Sequence, residues 1–362
     1  QGRTIGIVDS YGSPTIVADL ASFDRYYGIP APPSFKVIQP VGKVPPFNPG
    51  GTDRLGWALE TTLDVEWAHA MAPGASIVLA ETPVDEVEGT SGFAQIVQAE
   101  TDLIEHYHVA VISQSFTATE ETFASSRDVL ALRSAYELAA RHGVTVLAAS
   151  GDAGASGGTN NRSYDYGRRV IGWPASDPLV TAVGGTAITI DAAGKQTAPV
   201  QVWNDGYEGG GGGLSEIFAR PSWQDTVANS VGSRRGIPDV SLLAACSPGA
   251  AIYQSYTQPA GISSVCGTSL ATPLFAGIVA IAAEVHGGGL GLIDATLYKL
   301  GAEHAKGLVD VTHGDNTVTV PVSATAYKTV TGYSAVKGYD LSSGLGTVNA
   351  WYLVQELANK TL

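Results

Sequence analysis

Short apolar runs of strand length recur along the first half of the chain, at Thr4–Val8, Ser76–Ala80, Val109–Ser113, Val144–Ala149 and Leu179–Val183. Between them lie stretches whose apolar residues return at helical spacing, at Asp53–Met71, Phe93–His106 and Ser126–His142. Compact β-branched runs separated by helices predict an α/β fold: a mostly parallel central sheet built from right-handed crossovers, with helices on both faces. In Ser126–His142, the residues Val129, Leu132, Ala135, Tyr136 and Ala139 form one apolar stripe. Gly143 follows where glycine commonly ends a helix in the left-handed conformation. A further helix is expected over Ser269–His286.

Beyond Trp203 the pattern is less regular. The run Gly209–Gly213 is the one low-complexity segment. Flanked by Trp203-Asn204-Asp205-Gly206 and by Trp223, it reads as an anchored Gly-rich surface loop rather than a linker, so residues 1–362 are expected to form one domain. The sequence shows no internal repeat and no apolar run that approaches transmembrane length.

Hydrophobic residues make up 44% of the 362, enough for a sizeable core. Acidic residues outnumber basic ones 34 to 20, for a net charge of −14. That balance argues against nucleic acid or an anionic membrane as a partner. It suits acidic conditions, where protonation relieves the mutual repulsion, and equally suits plain solubility; net charge does not choose between them. The two cysteines, Cys246 and Cys266, flank an expected hairpin, where a single bridge is geometrically possible. Abundant glycine and a single methionine suit a loop-rich exported protein. A strand begins almost at the first residue, as expected of a mature form that has lost a leader and a pro-segment.

The densest chemical signal is Cys266-Gly267-Thr268-Ser269-Leu270-Ala271-Thr272-Pro273. It sets Ser269 at the start of a helix, where free backbone N–H groups and the helix dipole stabilise developing negative charge. Gly267 lets a substrate approach the backbone closely. No histidine stands where a serine nucleophile would ordinarily find its base. Glu60 and Asp64, four residues apart on one helix face, stand there instead. Such a pair is usually a solvated surface feature. Here its neighbours Leu59, Leu63, Trp67 and Met71 are apolar, and the following strand reads as buried. Coupled carboxylates can share a proton, leaving one ionised as a base at a pH where histidine would be protonated. Asp152, after a hydrophobic strand, sits where open α/β sheets carry their sites, or else simply closes an Asx turn. If neutral, it could donate a hydrogen bond to an oxyanion.

With these residues the chain resembles the sedolisins, serine-carboxyl peptidases related in fold to subtilisins. The likeness covers nearly the whole chain. It runs through Ile5-Gly6-Ile7-Val8-Asp9-Ser10, Glu60-x-x-x-Asp64 with Met71-Ala72-Pro73-Gly74-Ala75, and Ser150-Gly151-Asp152. It continues through Trp173-Pro174-Ala175-Ser176, Val183-Gly184-Gly185-Thr186, Trp203-Asn204, Pro238-Asp239-Val240 and Gly267-Thr268-Ser269. The resemblance implies a subtilisin-like fold, with Ser269 as nucleophile, Glu60 as general base and acid, Asp64 as its partner and Asp152 as oxyanion donor. A subtilisin proper would use a His-Gly-Thr-His helix, which is absent. Asp9 is then expected to be a structural strand-end residue, with a supporting role open to it, and His69, His106, His108 and His142 to be ordinary surface or helix-end histidines.

The resemblance also implies one structural Ca²⁺ in a C-terminal segment of about residues 305–346. Asp310 and Asp340 would give carboxylates, and Val311, Val336 and Gly338 backbone carbonyls, the hard oxygen set that Ca²⁺ prefers. Val336 stands where the family often has Gly. An extended peptide substrate is expected to pair with Ser115, Phe116 and Thr117 on one side and with Ser150 and Gly151 on the other, as in β-strand addition. Ser115-Phe116-Thr117 departs from the family's usual stretch. Gly172 stands where some relatives carry a charged pocket residue, which implies a pocket not set by charge at that point. The combined expectation is a secreted, monomeric, acid-active endopeptidase acting on proteins or peptides, with its own pro-segment as an earlier partner. An optimum of roughly pH 3–5 follows from model and dyad carboxyl pKa values. Exopeptidase action and a non-catalytic peptide-binding protein remain the alternatives.

Overall fold

The computed structural model describes residues 2–360. Seven parallel strands make the central sheet: β1 (Thr4–Ser10), β2 (Phe35–Ile38), β3 (Ser76–Thr82), β4 (Val111–Gln114), β5 (Thr145–Ala149), β6 (Thr181–Ala187) and β7 (Val240–Leu243). Their order across the sheet is β7-β6-β5-β4-β1-β3-β2, and Gln201–Val202 adds an antiparallel strand beside β6. All five expected strands occur. β1 and β3 run two residues further than their apolar runs, which places Asp9, Ser10, Glu81 and Thr82 at their C-terminal ends.

The helices that shape the site are α1 (Ile16–Tyr27), α2 (Thr52–Met71), α3 (Phe93–Tyr107), α4 (Ser126–Ala131), α5 (Ser134–His142) and α6 (Thr268–His286). Strand residues alternate between the two faces of the sheet, and so divide the core in two. Ile5, Ile7, Ile77, Leu79 and Val111 pack with Leu63 and Val65 of α2 and with the apolar residues of α6. Val8, Val78, Ala80 and Ile112 pack with Ile96 and Leu103 of α3 and with Ala135 and Tyr136 of α5. The fold is a subtilisin-like α/β sheet covered on both faces.

Local structure departs from expectation at several points, each with a visible cause. Ser126–His142 is two helices rather than one. Arg133, at the break, places its guanidinium on Asp177 with bonds of 2.6 and 2.9 Å, and Leu132 is only partly buried. Gly143 does close α5 in the left-handed conformation, with φ of 71°. The Gly209–Gly213 run is buried rather than a surface loop. A Cβ on Gly211 would stand 2.0 Å from the Ser150 carbonyl oxygen, and the Gly211 N–H bonds the Gly151 carbonyl at 2.7 Å. The missing side chains let this segment brace the loop that carries Asp152. His69 is fully buried, with its Nε2 3.0 Å from the Pro30 carbonyl and 3.1 Å from Asp24 of α1. Helix α6 is long and apolar enough to cross a membrane by length and composition, although no such run was expected, and 78% of that stretch is buried in the core. Cys246 and Cys266 form a disulfide across the hairpin Ala250–Gln254/Gly261–Val265, which leads directly into α6.

Candidate active site

The C-terminal ends of β4 and β5 open onto one cleft of about 510 Å³, beside the point near β1 where the chain's order across the sheet reverses. Ser269, the second residue of α6, faces it together with Glu60 of α2, Ser115 beyond β4, and Gly151 and Asp152 beyond β5. Gly267 precedes α6 with φ of 108°, and a Cβ there would lie 2.7 Å from Asp152 Oδ2. Both facts require glycine. Pro273 lacks the N–H that would bond the Ser269 carbonyl within the helix. That carbonyl is therefore available to the Ser115 hydroxyl, which donates to it at 3.3 Å and to Asp64 Oδ1 at 2.7 Å. The spacing of Ser269 and Pro273 thus ties α6 to the end of β4.

The Ser269 hydroxyl lies 3.4 Å from the Ser115 carbonyl, and beside it is the Glu60 carboxyl, whose Oε1 has no hydrogen-bond partner and which Ser269 influences. Burial pushes the Glu60 carboxyl up to about 8; the bond from Ser269 opposes this, and repulsion from Asp9 and Asp152 adds to it. Asp64 is raised well above the ordinary range, first by burial and then by Asp9 and Glu60. Asp9 is fully buried beside Thr61 and Asp64, and neither of its carboxyl oxygens has a hydrogen-bond partner. Burial lifts it to about 7. The strand-end Asp9 is therefore the inner end of a chain of carboxyls, Asp9–Asp64–Glu60, which approaches the Ser269 hydroxyl. Asp64 accepts a hydrogen bond from Ser115 and acts on Asp9 and Glu60 through charge.

Asp152 is raised from its ordinary value by burial, against hydrogen bonds from Thr268. Its Oδ1 accepts the Thr268 N–H at 2.8 Å and the Thr268 hydroxyl at 2.7 Å. In the neutral form the proton therefore belongs on Oδ2, the oxygen beside Gly267. Repulsion within the cluster exists only between ionised groups. The first negative charge enters Asp9–Asp64–Glu60 unopposed and the second enters against it, so a singly charged cluster persists over a range of pH. Such an arrangement can take a proton from the serine, return it to a leaving group, and donate from Asp152 to an oxyanion.

The comparisons with known proteins agree with this geometry. Residues 50–309 match the model of the subtilase family. The chain belongs to the subtilase family. It is 32% identical to kumamolisin of Bacillus sp. (strain MN-32) over 99% of the chain and 60% of that protein. It is 29% identical to sedolisin of Pseudomonas sp. (strain 101) over 96% of the chain and 56% of that protein. It is also 28% identical to tripeptidyl-peptidase 1 of Homo sapiens over 94% of the chain and 58% of that protein. The chain thus spans little more than half the length of these curated relatives. The solved structure of Pseudomonas sedolisin, a serine-carboxyl proteinase complexed with two molecules of pseudo-iodotyrostatin, superposes with a TM-score of 0.82. That match has 28% identity and covers 99% of this chain and 93% of the other. Within the subtilases the chain accordingly falls with the sedolisins.

Of the residues expected to contact substrate in this subtilase, Ser115, Phe116, Thr117 and Gly151 line the cleft. Ser150 and Gly172 do not. Ser150 lies behind the loop against Gly211, and the space beside Gly172 is filled by the Thr117 hydroxyl, 1.9 Å from where a Cβ would be. Trp57, Glu86 and Arg162 also line the cleft, unanticipated from sequence. Glu86 belongs to the acidic loop after β3, and charge pattern alone does not distinguish such a loop from a solvated one.

In the C-terminal segment, Asp310 and Asp340 converge on one loop. Asp310 Oδ2 accepts the Gly338 N–H at 3.0 Å and Asp340 Oδ2 accepts the Val336 N–H at 2.9 Å. Val311 is buried beside Asp310. Gly338 has φ of 83°, whereas Val336 is not among the positive-φ residues, so the valine is accommodated there without strain. Asp340 Oδ1 also accepts the N–H and hydroxyl groups of Ser342 and Ser343, so the two carboxylates are held in place by this segment, and their hard oxygen atoms are of the kind Ca²⁺ takes.

Proposed function

We propose that this chain is an acid-active serine-carboxyl endopeptidase. The observation that carries the reading is the meeting, in one cleft, of a helix-start serine with a half-buried carboxyl base and a second carboxyl, Asp152, placed to donate to an oxyanion, with no histidine among the lining residues. Ser269 Oγ attacks the scissile carbonyl carbon while the Glu60 carboxylate takes the hydroxyl proton. The tetrahedral oxyanion is held by the neutral Asp152 carboxyl and by the N-terminal end of α6. Glu60 then protonates the leaving amine, the C–N bond breaks, and the acyl group remains on Ser269 Oγ. Water, with its proton passing to Glu60, repeats the sequence and releases the acid.

Activity requires one negative charge on Asp9–Asp64–Glu60 and none on Asp152. It is lost at low pH as that charge is neutralised, and lost toward neutral pH as Asp152 ionises; this requires the three carboxyls, each raised by burial, to take up their first charge as a proton-sharing unit below the values of the separate groups. The decisive measurement is degradation of acid-denatured protein across pH, with Ser269→Ala and Glu60→Ala beside the wild type. A neutral-to-alkaline optimum, or activity surviving Glu60→Ala, would sink the mechanism. Tripeptidyl-peptidase 1 among the relatives supports a second reading, removal of short peptides from a free N-terminus. Product lengths from one long peptide separate the two.

The segment Asp310, Val311, Val336, Gly338 and Asp340 would hold one structural Ca²⁺, neutralising two carboxylates brought close by folding. Chelation is expected to lower the melting temperature, and added Ca²⁺ to restore it. The greater length of the relatives supports a precursor with a pro-segment, and the disulfide supports secretion. The proposed enzyme works as a monomer on protein or peptide substrates.

A further inference from the structure

The acidic loop after β3 contributes a second carboxylate to the cleft, one that the mechanism does not use. Glu86 is 8% exposed, lines the cleft beside Trp57, Phe116 and Thr117, and has no partner for its Oε1. Its charged neighbours are already engaged. Asp85 accepts the Trp57 indole N–H at 2.6 Å and Arg162 at 3.0 Å. Asp53 of α2 lies 3.6 Å from the same Arg162. Glu88 accepts the Thr119 N–H at 2.7 Å and the Thr122 hydroxyl at 3.1 Å. Arg162, the cation among the lining residues, thus serves Asp53 and Asp85, which leaves this wall with an excess of negative charge. A buried carboxylate without a partner is costly unless something supplies a donor or a positive charge.

We propose that Glu86 is a specificity residue of the cleft, pairing with a cationic group of the bound peptide: a Lys or Arg side chain, or a free α-amino group. This rests on the peptide-cleaving reading above. An ammonium or guanidinium group placed beside Glu86 in this cleft would make a desolvated, charge-assisted bond, with Trp57 and Phe116 as aromatic neighbours in the same lining. The free site favours the neutral acid: burial pushes Glu86 up to about 8, Glu88 and Asp85 add to this, and Arg162 opposes it. Binding a cation therefore displaces a proton. The preference for cationic over neutral peptides must grow as pH rises from acid, because the displaced proton costs less at higher pH.

The test compares peptides matched except for charge. One is acetylated and carries norleucine; a second series is acetylated and carries Lys at each position in turn on the acyl side; a third keeps norleucine and has a free N-terminus. Their affinities for Ser269→Ala and for Ser269→Ala with Glu86→Gln are measured by calorimetry at several pH values, and kcat/KM is measured with Ser269 intact. The expected result is a preference of about tenfold for one cationic peptide, rising with pH. It should collapse to about onefold with Glu86→Gln and be partly kept with Glu86→Asp. The Lys and free-amine arms identify which source of charge is read. Equal affinities for cationic and neutral peptides, or a preference unchanged by Glu86→Gln, would overturn the proposal. Binding without any cleavage by the wild type would count against the peptidase reading while still deciding the role of Glu86.

Discussion

Asp64 and Asp239 are both fully buried, but their surroundings oppose each other. Asp239 follows the Arg234–Ile237 strand and has a cation against it: the Arg235 guanidinium, itself fully buried, donates to its two oxygens at 2.7 and 2.6 Å. The Ala182 N–H and the Tyr298 hydroxyl complete its shell at 2.7 and 2.8 Å. Asp64 has Ser115, Asp9 and Glu60 around it and no cation, and burial and repulsion raise it. The first arrangement locks β6, β7 and the segment before β7 together. The second cannot hold a full complement of charge and must share protons. The difference between a structural carboxylate and a chemical one here lies in the presence of a cation, not in depth of burial.

The largest effect expected from breaking this contrast is on catalysis. Ser269→Ala and Glu60→Gln should each reduce kcat by roughly a thousandfold or more, with melting temperature nearly unchanged, read by turnover of denatured protein at acid pH. On the structural side, Arg235→Ala should leave Asp239 buried and unpaired and cost about 3–5 kcal/mol, read by denaturant unfolding. Its pH–rate profile should keep the wild-type shape.

A smaller effect concerns stability against pH. Asp9 has a folded-state value of about 7 against an ordinary 3.8. The folded protein therefore binds more protons than the unfolded chain across that window, and stability falls as pH rises through it. The loss from Asp9 is about 4 kcal/mol by linkage. Asp9→Asn should flatten this slope in melting curves between acid and neutral pH; an unchanged slope would show that Asp9 does not share in the cluster's protons. The smallest effect is a displacement rather than a loss. Asp152→Asn keeps a donor that does not titrate, so the neutral-side limb of the pH–rate profile should move upward at a lower maximal rate. An unmoved limb would remove Asp152 from the titrating machinery.

Much of this was legible along the chain. The alternation of apolar runs and helical stripes predicted the parallel sheet, and each expected strand appears with its ends shifted by at most two residues, except β6, which runs four residues further. Ser269, Glu60, Asp64 and Asp152 were recognisable because helix-start and strand-end positions constrain chemistry locally. Asp9 was placed at a strand end, but its burial beside Asp64 and Thr61 depends on how α2 packs over β1. His69 read as an ordinary histidine because its partner, Asp24, lies on another helix. The break at Leu132–Arg133 was invisible because Asp177, which draws Arg133 out of the helix, is distant in sequence. The glycine run looked like an exposed loop because local composition does not reveal the backbone it packs against.

The sequence by itself determined the kind of sheet, the helix that carries the nucleophile, and the replacement of a histidine base by carboxyls. These depend on periodicity, on glycine and proline at fixed offsets, and on side-chain chemistry, all of which are local. Only the tertiary structure decided which carboxyls share protons, which one meets a cation, and which faces the cleft without a partner. Charge state in a protein interior depends on neighbours within a few ångströms, and in this chain those neighbours come from segments tens to hundreds of residues apart.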